Sequence, residues 1–93
     1  GELRMALTLT AEVYQDDIAV TLANVLAIAN KRASSLGIDV AESLLTISQR
    51  MANDAMVWRI NYGPKDYINR RGGDLVVDVA ACSGEVEQVL WGQ

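Results

Sequence analysis

The sequence predicts an α+β fold in which one long amino-terminal helix packs on an antiparallel sheet of three or four strands. Three observations carry that expectation. Apolar residues between Ala11 and Leu36 recur at steps of three and four, the spacing that lines one side of a helix. The stretch "AMVWRINY" alternates apolar and polar positions as a half-buried strand does. The closing stretch "GGDLVVDVAACSGEVEQVLWGQ" is two apolar runs hinged at Ser83-Gly84, a pattern that reads as a hairpin.

The helical stripe is Ile18, Leu22, Val25, Leu26, Ala29, Ala33 and Leu36. Thr10 is the expected N-cap. Glu12, Asp16 and Asp17 sit near the positive end of the helix dipole, and Lys31 and Arg32 near the negative end. Gly37 supplies the left-handed residue that ends such a helix.

Two readings compete over residues 39–52. Asp39 and Glu42 form a helix-start signal, with Val40, Leu44, Ile47 and Met51 at helical spacing. Alternatively Leu45, Ile47 and Gln49 alternate with Leu44, Thr46 and Ser48, and Asn53-Asp54 makes a turn. The strand reading is preferred, because the strand that follows needs a partner. In that next strand Met56, Trp58, Ile60 and Tyr62 share one face and Val57, Arg59 and Asn61 the other, up to Gly63-Pro64. The polar "KDYINRRGG" is a connection.

In the final hairpin Leu75, Val77 and Val79 share a face. A two-residue turn places Val86 and Leu90 with them and leaves Val76, Val89 and Trp91 opposite. A longer loop with a bulge flips the last strand, so that Val89 and Trp91 join Leu75 and Val77 and leave Val76, Val86 and Leu90 outside. Either register puts apolar side chains on both faces. One helix covers only one of them, and the exposed remainder exceeds what monomers usually carry.

A chain of 93 residues makes one domain, 1–93, in which Met5 is a candidate native start and Gly1–Arg4 are either native or foreign residues ahead of it. Folding at this size buries about 60–65% of the surface of the unfolded chain. A hydrophobic fraction of 51% is rich for so small an interior, which again argues for a second copy and most simply a two-fold dimer. A net charge of −4 speaks against general nucleic-acid binding. No apolar run has the roughly 18 residues of a membrane span. The single Cys82 cannot form an internal disulfide, and no secretory leader pattern is visible, so a cytoplasmic location is expected.

The stretch from about Val57 to Gln93 resembles the carboxyl-terminal pattern of PepSY-like domains. It is also similar to the tail of small immunity proteins of the cystatin-like, nuclear-transport-factor-like architecture. The residues that carry the resemblance are Trp58, Ile60, Gly72, Gly73, Leu75, Val77, Val79, Ser83, Gly84, Val86 and Gly92. In that pattern an aspartate stands four residues before the turn glycine, where this chain has Ala80. The resemblance implies one long helix followed by an antiparallel meander, and an immunity- or inhibitor-like role.

The chain has no histidine, so the commonest general base and metal ligand is missing and Cys82 or a serine lacks an imidazole to activate it. No catalytic residue, no metal site and no cofactor is expected. The carboxylate pairs Asp16-Asp17 and Glu85 with Glu87 read as solvated surface charge. Lys65, Tyr67, Arg70 and Arg71, an aromatic among cations, are the candidate contact for an anion or an acidic partner. Trp58, Tyr62 and Leu22 are the candidate lining of a pocket between helix and sheet, and Val76, Val89 and Trp91 the candidate self-association contacts. The expected function is a non-catalytic protein-interaction module acting as a homo-oligomer. The alternative is a small-molecule carrier or sensor.

Overall fold

A computed structural model describes residues 9–64 and 74–92. The fold is α+β, a helical segment followed by a four-stranded antiparallel meander in the order β1-β2-β3-β4. A short α1 (Ala11–Tyr14) precedes the long α2 (Asp17–Ser35), and the single 3-10 turn Val40–Glu42 leads into the sheet. The strands are β1 (Ser43–Ala52), β2 (Ala55–Pro64), β3 (Leu75–Ala80) and β4 (Val86–Trp91).

The expected continuous helix from Ala11 to Leu36 is interrupted at Gln15-Asp16. Asp16 adopts an extended backbone and its Oδ1 accepts the backbone N–H groups of Ile18 and Ala19, both at 3.0 Å. A short carboxylate satisfying two donors that have no helical partner begins a helix of its own. Asp16 is thus the N-cap of the long helix, whereas Thr10, the expected cap, makes no side-chain capping bond. At the other end Gly37, at φ 92°, closes a Schellman motif. Its N–H donates to Ser34 O and that of Ile38 to Ala33 O, each at 3.0 Å.

The core is built from Val25, Ala29 and Ala33 of α2 against Trp58, Ile60 and Tyr62 of β2 and Leu75, Val77 and Val79 of β3. Ala29 and Ala33 are fully buried. Side chains this short let the helix lie close to the strands. Leu22, expected to be mostly buried with this cluster, is half-buried at its margin, and Ile18, at the start of the stripe, is 65% exposed. The helix lies chiefly over β3 and β2. The outer strands therefore receive less of its cover.

Residues 43–52 form a strand, and the Asp39/Glu42 signal yields only the single 3-10 turn. Ala52 pairs with Ala55 across Asn53 and Asp54, whose φ values of 53° and 66° are both positive. This is the backbone of a two-residue turn whose twist matches a hairpin. Asn and Asp are the non-glycine residues that tolerate it best.

The last hairpin follows neither simple register in full. Ala80 N–H donates to Glu85 O and Gly84 N–H to Ala80 O, both at 2.9 Å, so the loop spans residues 81–84 rather than Ser83-Gly84 alone. Val79 then pairs with Val86, but Asp78 pairs with Gln88, leaving Glu87 as the extra residue of a bulge. Val86 lies before the bulge and Val89 and Trp91 after it, so all three point to the helix side, with Gln88 and Leu90 on the back. Gly84, at φ 76°, sits where an added Cβ would lie 3.1 Å from Ile28 Cδ1. The turn is thus held against α2.

Candidate interaction surfaces

The sheet offers three surfaces, and each is fixed by strand parity. On the helix side, Tyr62 is 2% exposed and Trp58 8% exposed, packed among Ile60 and the α2 residues, while Leu22 flanks them. Of the three expected pocket residues, Trp58 and Tyr62 are core and Leu22 packs against its margin. The phenol of Tyr62 donates to Asn30 Oδ1 at 2.7 Å, and burial pushes its pKa up to about 12. A buried hydroxyl so partnered is satisfied without water.

On the opposite face, Arg59 and Asp78 are directly opposed on β2 and β3. Arg59 Nε donates to Asp78 Oδ1 at 2.8 Å and Nη2 to Oδ2 at 2.9 Å. Asp78 is 5% exposed. The hydrogen bonds from this carboxylate hold the guanidinium pKa above its ordinary value, outweighing the opposing effect of burial. Asn61 Nδ2 donates to Asp74 Oδ2 at 2.8 Å on the same face. Val57 is buried beside this ion pair. The centre of the back face is therefore a paired polar network, not the open apolar patch that alternation alone suggests.

The third surface is the rim. Of the nine large apolar residues that stand exposed among the described residues, Leu44, Ile47 and Met51 lie on β1, Leu90 and Trp91 on β4, and Leu9, Tyr14, Ile18 and Leu36 before the sheet. The expected contact residues do not share a face. Val89 and Trp91 oppose Val77 and Leu75 on the helix side, and Val76 lies on the back opposite Leu90. Trp91 is 56% exposed, whereas Val76 and Val89 are half-buried. Lys65, Tyr67, Arg70 and Arg71 lie outside the described residues.

The two edges differ. β4 is six residues long, is kinked by the bulge and carries Glu87, all devices that discourage further pairing. β1 is ten residues long and keeps an unbroken register with β2. It contains no proline or glycine, and Arg50 is its one charged residue.

Clefts are present beside the helix. One of about 540 Å3 lies between α2 and the β3–β4 turn and is lined by Thr21, Asn24, Ile28, Cys82 and Gly84 among others. A shallower one of about 300 Å3 lies between Ile28, Lys31, Arg32 and Val86. Cys82 is exposed in the turn. No helix among the described residues is long and apolar enough to cross a membrane. Comparison of the chain with protein-family models, with curated proteins and with solved structures finds no match.

Proposed function

We propose that this chain is a non-catalytic protein-interaction module that acts as a homo-oligomer through its sheet. The observation that carries the reading is that five of the nine exposed large apolar residues among the described residues stand on the two edge strands: Leu44, Ile47 and Met51 on one, Leu90 and Trp91 on the other. Water-facing apolar side chains grouped on strands favour association, because burying them releases ordered solvent. The absence of histidine in the sequence supports a non-catalytic role. An immunity- or inhibitor-like task, in a cytoplasmic setting, is the biological form this module takes under the resemblance noted above.

Sedimentation velocity across a concentration series tests the reading. A weight-average mass rising towards at least twice that of the chain is the expected result, and a monomer at every concentration up to about 100 μM, a range that even weak specific dimers populate, rejects it.

A second reading, a small-molecule carrier, is favoured by the cleft of about 540 Å3 between α2 and the β3–β4 turn, within the size range of ligand sites. A thermal-shift screen with small apolar ligands tests it. The wild-type Tm should rise with a binder, and Asn24→Trp, which fills the cleft, should abolish the rise.

A further inference from the structure

We propose that β1 pairs with β1 of a second copy, antiparallel about a two-fold axis at Ile47, joining two sheets into one of eight strands. This deepens the self-association reading above and rests on it.

Strand parity decides which backbone groups are free. Ala81 N–H donates to Met56 O at 3.0 Å, so the even-numbered residues of β2 direct their backbone groups to β3. Its odd-numbered residues therefore direct theirs to β1, where the register pairs them with even-numbered residues: Ala55 with Ala52, Val57 with Arg50, Arg59 with Ser48. It follows that Leu45, Ile47, Gln49 and Met51 turn their N–H and C=O groups outward, while Ser43 offers only its C=O, its N–H donating to Val40 O. Among the described residues no strand occupies that side. Four consecutive outward pairs on a strand of unbroken register form a template for a further strand.

The partner's chemistry follows from what the edge presents. A two-fold axis at Ile47 sets each residue opposite the one whose number sums with it to 94. Ile47 then faces Ile47, Leu45 faces Gln49, and Met51 faces Ser43, whose C=O is free to accept. On the back, Thr46 faces Ser48 and Leu44 faces Arg50. The β-branched pair at the axis and the hydroxyl pair beside it are both favourable cross-strand neighbours. The charges complement as well. Arg50 of each copy lies diagonally from the Glu42 that precedes the other copy's strand, and no like charges oppose each other. Moving the axis to Ser48 or Gln49 takes Glu42 away from Arg50. The exposed Ile47, Met51 and Leu44 gain neighbours without any change in the rest of the fold.

The experiment places single cysteines in a Cys82→Ser background, with Thr46→Cys, Ile47→Cys, Ser48→Cys and Gln49→Cys oxidised under mild conditions and read on non-reducing gels. Opposed residues of a hydrogen-bonded antiparallel pair have Cα atoms about 5.5 Å apart, which suits a disulfide, so Ile47→Cys should cross-link at least ~tenfold faster than its neighbours. A second arm uses Ile47→Lys, which sets two ammonium groups opposite each other at the axis while placing a charge at a site already 37% exposed. It should weaken the dimer by about a hundredfold with the circular dichroism spectrum retained, and Leu90→Lys on the other edge should not. Cross-linking favoured at another position, or an Ile47→Lys protein that dimerises like wild type, overturns this pairing while self-association stands. A wild-type protein that is monomeric throughout removes both.

Discussion

Replacing Tyr62 by Phe should change sign in its effect as pH rises. At neutral pH the substitution deletes the 2.7 Å hydrogen bond to Asn30. Asn30 is only half-buried and can turn its oxygen to water, so the loss is about 1 kcal/mol. The phenol's pKa stands at about 12 in the folded protein against an ordinary 10.0. A raised folded pKa means that the unfolded chain loses the proton first. The contribution of Tyr62 is therefore whole below about pH 10 and is lost progressively as pH rises towards 12, by about 1.4 kcal/mol at pH 11. That exceeds the hydrogen bond. The Phe variant should be the less stable protein up to about pH 10 and the more stable one from about pH 11. Urea unfolding of both proteins at a series of pH values measures this, and other alkaline titrations cancel in the difference. A difference that stays constant across the series would refute the burial argument.

Two further substitutions probe the helix and its contact with the sheet. Asp16→Ala should cost about 1 kcal/mol, because two backbone donors lose their acceptor, whereas Thr10→Ala should change stability by no more than a few tenths. Denaturant midpoints decide between them, and equal effects would return the cap to Thr10. Gly84→Ala should cost about 1–2 kcal/mol, since Ala must hold a positive φ and displace the tip of Ile28. A drop in Tm of about 5–10 °C is expected for a domain of this size. An unchanged Tm would mean that the turn does not press on α2.

The parts of the fold that were legible in the sequence are those in which one period dominates. Trp58, Ile60 and Tyr62 alternate cleanly, and Val25, Ala29 and Ala33 step by four, so the two faces of the core could be matched directly. Over residues 43–52 the periods overlap: Leu44, Ile47 and Met51 fit a helix while Leu45, Ile47 and Gln49 fit a strand. What resolves them is the pairing with β2, a nonlocal contact. Thr10 and Asp16 are both good caps by residue type, and only the bonds from Ile18 and Ala19 to Asp16 Oδ1 give the role to Asp16. The last hairpin was legible in existence but not in register. A bulge at Glu87 leaves no mark in the apolar pattern, and it turns Val86, Val89 and Trp91 to one side together. The back face misled for a similar reason. Arg59 and Asp78 are nineteen positions apart, and only their opposition across β2 and β3 makes a closed ion pair of them. The outward groups of β1 belong to the backbone and appear in no sequence pattern.

Amide exchange along β1, followed by NMR at the lowest and highest concentrations that the spectrometer permits, tests the account most directly. Thr46, Ser48 and Arg50 bond to β2 and should be protected at both concentrations. Leu45, Ile47 and Gln49 should exchange freely in dilute solution and become protected in concentrated solution, as a second copy takes up their N–H groups. Outward amides that exchange at one rate whatever the concentration would contradict the claim that this protein works by joining sheets at β1.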